Sequence, residues 1–196
     1  MSEGIQTWGF PNKKYSVVYA DPPWQYNTKS PLASKRPESC QRAGGVEYYY
    51  STMATADIMG LPIQKISDKD SVLFLWATNP FLHDAFHVME SWGFKYKTMI
   101  TWHKLRCKGM GYWFRGHTEH LLVGSRGNIK PFRSLVHNHV EHLVLQHSEK
   151  PGVFREIIES VTPNSNRIEL FARKEYGGWD SWGNEISIGT TTQEHP

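Results

Sequence analysis

An aspartate, two prolines and a tryptophan (Asp21-Pro22-Pro23-Trp24) follow directly on the apolar run YSVVYA at residues 15–20. These residue types suit one chemical task well. The exocyclic amine of an aromatic base is a poor nucleophile, because its lone pair is delocalised into the ring. Two acceptors bonded to its two N–H groups hold the nitrogen closer to tetrahedral and aim its lone pair at a methyl donor. The Asp21 carboxylate and the Pro22 carbonyl could be that pair of acceptors. Consecutive prolines fix φ and lack an N–H, so they stiffen the loop that presents the carbonyl. Trp24, and after it Tyr26, could offer a flat face to an extruded base, worth about 1–3 kcal/mol per base. A rigid proline turn bearing an exposed acid would explain D-P-P alone; strand, D-P-P and aromatic together are more specific.

The elements around this motif alternate in type. Residues 15–20 and 71–78 (SVLFLWAT) read as strands, the second suited to a sheet covered on both faces. A short helix is expected over residues 54–61, before Pro62. Another runs from Asn79, as cap, and Pro80, in the first turn, to Gly93. Leu82, Ala85, Phe86 and Met89 form its apolar stripe. Strands follow at 97–102, 119–124 and 142–145. A helix over 151–161 carries Phe154, Ile157, Ile158 and Val161, and the last strand is 167–172 (RIELFA). This alternation predicts an α/β fold, a Rossmann-like sandwich with a mostly parallel sheet. Its ligands bind beyond the carboxyl ends of the strands, where Asp21 would lie. One domain over residues 1–186 is expected, with a disordered tail over 187–196. Residues 25–45 read as a long functional loop.

Charge is unevenly divided. Residues 95–133 hold nine Lys or Arg and one acid, Glu119, a net +8 within a chain of net +3, so the remainder sums to about −5. A basic face for a polyanion follows. Lys104, Arg106, Lys108 and Arg115 are the candidate phosphate contacts, and Trp113, between Tyr112 and Phe114, a candidate stacking residue. The longest apolar run, residues 72–77, is too short to span a bilayer, and no signal peptide is read at the start. Cys40 and Cys107 form no C-x-x-C pair, so a reducing cytoplasm is expected. His83 and His87, spaced i, i+4, read as a solvated helix face, and His137, His139 and His142 as a loop cluster; no metal site is expected. A nicotinamide oxidoreductase is disfavoured, since no G-x-G-x-x-G occurs.

In order along the chain stand YADPPW (19–24), YYYSTM (48–53), LFLWAT (73–78), WGF (92–94), EHLLVGSRGN (119–128), HSEKP (147–151), ELFAR (169–173) and GWDSWGNE (178–185). With this series the chain resembles the MT-A70 family of N6-adenine methyltransferases over about residues 15–186. The resemblance implies S-adenosyl-L-methionine as cofactor. It also implies a circularly permuted fold, with the catalytic loop preceding the main cofactor strand. Asp21, Pro22, Pro23 and Trp24 are then the catalytic segment. Lys150, with Asp21, holds the methionine end of the cofactor, and Phe171, Arg173, Asn184 and Glu185 line its adenosine end. The chain departs from the mRNA-modifying branch after Arg173, where Glu175-Tyr176-Gly177-Gly178 replace a His-Asn pair, and between Trp24 and Tyr50, where its loop is longer. It is more similar to the prokaryotic and phage DNA-modifying branch. DNA is the expected partner and RNA the alternative; an inactive nucleic-acid-binding scaffold is disfavoured by the intact D-P-P-W, Lys150 and Arg173. Oligomeric state is left open.

Overall fold

The computed structural model describes residues 9–26, 52–107, 113–144 and 149–183. The expected alternation folds into a seven-stranded sheet in the order β5-β3-β4-β2-β1-β6-β7. Its strands are β1 (Tyr15–Ala20), β2 (Ser67–Thr78), β3 (Lys95–Leu105), β4 (Thr118–Arg126), β5 (His139–Leu143), β6 (Arg167–Leu170) and β7 (Asp180–Trp182). Helix α1 (Thr55–Met59) links β1 to β2, α2 (Leu82–Ser91) links β2 to β3, and α3 (Val153–Val161) precedes β6. β1 is parallel to both β2 and β6, β6 to β7, and β3 to β5. β4 lies antiparallel to β2 and β3, so six strands share one direction and β4 alone opposes them.

Strand alternation divides the core between two faces. Val18, Ala20, Leu73, Leu75, Leu122, Ile168 and Leu170 pack on α1 and α2 through Ile58, Ala85, Val88 and Met89. Val17, Tyr19, Phe74, Trp76, Leu121 and Val123 face the other way, onto Phe154 and Ile158 of α3. The elements extend or contract where local signals were silent. β2 begins at Ser67, ahead of the apolar run, because backbone pairing continues through polar residues (Tyr15 opposite Ser67). β6 stops at Leu170, because Phe171 takes φ +60°. β7 is three residues long and carries no apolar pattern to predict it. The expected Asn79 cap is corrected: a 3₁₀ turn (Asn79–Phe81) precedes α2. The Asn79 amide instead donates to Thr118 and accepts from His120. Leu82 and Phe86 are partly buried, and Val88 completes the stripe. Among the described residues no helix is long and apolar enough to cross a membrane. The expected tail over 187–196 lies outside the described residues, as do residues 27–45 of the long loop.

Gly124 of β4 shows how tightly the α2 face is packed. A Cβ there would sit 2.6 Å from Met89 Sδ and 3.1 Å from its Cε, and Met89 is itself buried. Gly124→Ala is expected to destabilise by about 1–3 kcal/mol, lowering Tm by about 2–4 °C per kcal/mol in a chain of this size. An unchanged melting curve would show that Met89 swings clear at no cost.

Candidate active site

The sheet brings every described candidate to one edge. The carboxyl ends of β1, β2, β3, β6 and β7 lie there, together with the amino end of the reversed β4, as the pairing of Thr78 with Glu119 requires. Asp21 follows β1 and sits half-buried at this edge. The loop after it is pinned at each step. Pro22 is buried, and its carbonyl accepts from the Trp24 N–H at 2.9 Å. The Pro23 carbonyl accepts from Met53 at 2.8 Å, within a single parallel bridge between Trp24 and Met53. The Trp24 indole donates to the Trp76 carbonyl at 3.2 Å. A carbonyl oxygen has two lone pairs, so Pro22 retains acceptor capacity.

Trp24 itself differs from the open stacking platform expected. It is 5% exposed, with Phe81 stacked on it at 5.3 Å and 15°. Phe81, carried past the end of β2, competes for the same flat face, and Trp24 serves to anchor the loop. Tyr26 is half-buried, edge-on to Phe81, with its hydroxyl 2.7 Å from Thr78 Oγ1. Burial is the main reason its phenol is raised above the ordinary tyrosine range.

Around Asp21 runs a chain of alternating charge. Lys150 Nζ donates to Asp21 Oδ2 at 2.9 Å and lies 3.3 Å from Glu119 Oε2, while the other Glu119 oxygen accepts from Lys104. Lys150 also sits over the Trp76 ring, 5.3 Å from its centroid. Its side chain is 10% exposed and that of Glu119 11%. Burial works against the Lys150 charge, but Asp21 and Glu119 outweigh it and hold the ammonium above its usual range. Burial likewise pulls the Glu119 carboxyl upward, yet Lys150 and then Lys104 hold it below the usual carboxylate range. Strand parity explains the convergence: Glu119 shares the α3-facing side with Leu121 and Val123, and Asp21 continues that of Val17 and Tyr19.

Glu119 is the residue that sequence reasoning missed. Its signal was present as the single acid among nine cations at residues 95–133. Lys104 must be corrected in consequence. It was expected to clamp phosphate, but its ammonium is neutralised by Glu119 and its side chain is 19% exposed. β3 carries Lys104 beside the amino end of β4, so the pairing is made by the sheet.

On the other side of β1, Glu169 of β6 is gripped by Arg155 of α3 through two bonds, at 2.9 and 2.8 Å, and Arg155 stacks on Tyr176 at 3.6 Å. Phe171, beyond β6, is partly buried and edge-on to Trp182. A left-handed φ on a non-glycine residue stores strain, which clusters at ligand-binding sites. Gly183 is required beside it, because a Cβ there would meet the Ala172 carbonyl oxygen at 2.2 Å. The Ala172 N–H bonds the Trp182 carbonyl at 3.0 Å, closing this loop on β7. Arg173 is exposed just past it. Asn184, Glu185 and Lys108 lie outside the described residues. Arg106 is exposed, with φ +56°, where β3 ends. Arg115 is exposed, and Trp113 and Phe114 are 93% and 89% exposed.

The donor set suits the amino-acid end of S-adenosyl-L-methionine. A sheltered ammonium complements an α-carboxylate, so Lys150, braced by Asp21 and Glu119, would hold that end. The Phe171 loop lies beyond the neighbouring strand.

The MT-A70 family profile matches residues 15–185. The chain is similar to the type II methyltransferase M.MunI of a Mycoplasma species, with 36% identity over 189 residues, 90% of this chain and 79% of that protein. It is 28% identical over 183 residues to a putative N(6)-adenosine-methyltransferase MT-A70-like of Medicago truncatula, spanning 89% of this chain and 27% of the plant protein. With the catalytic subunit METTL3 of Homo sapiens, an N(6)-adenosine-methyltransferase, identity is again 28%, over 88% of this chain and 28% of that protein. A match from the first strand of the sheet to beyond its last, with D-P-P-W near its start, leaves one assignment: the chain belongs to the MT-A70 family.

Proposed function

We propose that this chain methylates N6 of adenine in DNA, on a base extruded from the duplex or presented in a single strand. It is a methyltransferase whose methyl donor is S-adenosyl-L-methionine, which supplies an electrophilic methyl on a sulfonium. The observation that carries the reading is the rigid D-P-P-W loop with its Asp21 carboxylate beside Lys150. Asp21 and the Pro22 carbonyl accept from the two N–H groups of the amine and turn its lone pair toward the donor. A methylated amine must shed one proton, and the Asp21 carboxylate already bonded to it would be the first acceptor. The protein is read as a circularly permuted Rossmann-like methyltransferase, β6 and the Phe171–Arg173 loop serving the adenosine end of the donor.

Purified protein with labelled donor and DNA is expected to give N6-methyladenine on digestion to nucleosides. Cytosine methylation, or no labelled base over a broad set of DNA, would sink the reading. RNA is the second substrate to test, because several relatives are named for adenosine methylation.

A stacked adenine must be flipped, at a few kcal/mol. Trp113 and Phe114 stand exposed in a basic loop that could fill the space it leaves. Phosphate affinity would come from Arg106 and Arg115. Replacing both with alanine is expected to weaken DNA of every sequence alike and to flatten the log–log salt plot by roughly 2 units. Cofactor affinity should not change. A wild-type salt slope would remove these arginines from the DNA contact.

A further inference from the structure

We infer that the outer edge of the sheet carries a divalent transition-metal site formed by His103 of β3 with His139 and Glu141 of β5. Parallel pairing puts His103 opposite Glu141 and Thr101 opposite His139. Residues two apart on a strand share a face, so His139 and Glu141 project on the side from which His103 also projects. One donor atom from each of the three lies within 4.8 Å of the other two. His103 Nδ1 is 3.0 Å from Glu141 Oε1, and the two imidazoles lie nearly parallel, 22° apart, with centroids at 5.9 Å.

An ordinary surface ion pair accounts for only part of this. A histidine–glutamate pair this exposed contributes little to stability, and it needs no second imidazole turned toward it. Two imidazole nitrogens and one carboxylate oxygen form a donor set for zinc and its neighbours, at ligand distances of about 2.0–2.2 Å. Donors at that distance from one tetrahedral ion stand about 3.3 Å apart, so modest side-chain rotation suffices to bring in atoms now within 4.8 Å of one another, and water completes the shell from the open side. Calcium and magnesium prefer oxygen-only cages and are excluded by the same chemistry.

The position gives the metal a role. Among the described residues β5 lies at the sheet's edge, paired with β3 and largely exposed. The chain leaves β5 and returns to the site at Lys150, while β3 ends beside Lys104 and Arg106. A metal bridging His103 to His139 and Glu141 clips the two strands together. Local signals could not reveal this, since His103 stands far in sequence from the other two.

The test uses the full chain, free of any histidine tag and stripped with chelator. Zinc titration by calorimetry is expected to give one bound equivalent, and zinc should slow amide exchange across β5. His139→Ala and Glu141→Gln should each weaken zinc binding at least tenfold and abolish the exchange effect, with melting in chelator as in the wild type. Calcium should do nothing. Absence of stoichiometric zinc binding, or binding that persists unchanged in His139→Ala, overturns the site. An exchange effect placed outside β3 and β5 overturns the clip.

Discussion

Asp21→Ala is expected to lower methyl transfer by roughly a thousandfold, the scale seen when one preorganised polar group is removed from a reacting centre. Cofactor affinity should stay within about tenfold of wild type, ~1.4 kcal/mol. The reason is geometric. Lys150 does not depend on Asp21 alone, because Glu119 holds it from the other side at 3.3 Å. Lys150→Ala should show the opposite division, with cofactor binding weakened by about 10–100-fold, the range of a charged hydrogen bond. Calorimetry with single-turnover rates on both variants separates the roles. Equal loss of cofactor affinity in the two would show that Asp21 acts on the donor, with the amine held elsewhere.

Glu119→Ala is expected to lower stability strongly for a single polar substitution. It removes the carboxylate shared by two lysines, one of them 10% and the other 19% exposed. Breaking a buried pair costs about 3–5 kcal/mol. Lys104 can turn partly to water, so the lower end applies, about 3 kcal/mol or roughly 6–12 °C in Tm. Glu119→Gln should recover part of this by keeping one acceptor. A melting temperature within about 2 °C of wild type would contradict the buried network.

The same residue sets an acid signature. Its folded pKa is depressed below the ordinary 4.5 despite burial, because Lys150 and Lys104 favour the charged form. Its contribution to stability is therefore full above that ordinary value and fades as pH falls through the lower folded one. Lys150 is shifted upward, so its contribution is full below the ordinary 10.5 and fades only as pH rises through a higher value. Near neutrality both are complete. Acid titration of wild type against Glu119→Gln should show a gap that is constant above about pH 5 and closes below the ordinary carboxylate range.

Local pattern in the sequence determined much of this protein. The apolar runs at β1 and β2 and the stripes of α2 and α3 announced an alternating α/β chain, because burial imposes periods of two and 3.6. D-P-P-W suggested amine chemistry through residue type, and the ordered motifs announced the family. Tertiary structure decided the rest. The reversal of β4 has no local mark, since an antiparallel and a parallel buried strand carry the same apolar residues. Yet that reversal places Glu119 at the working edge and so joins Lys104, Lys150 and Asp21 into one network. Lys104 thereby became part of the site rather than a phosphate clamp, and Trp24 an anchor under Phe81 rather than an open platform. Composition counts charges and aromatics, but only strand register says which of them meet. Over such separations the pairing energy belongs to the fold, and no window of sequence contains it.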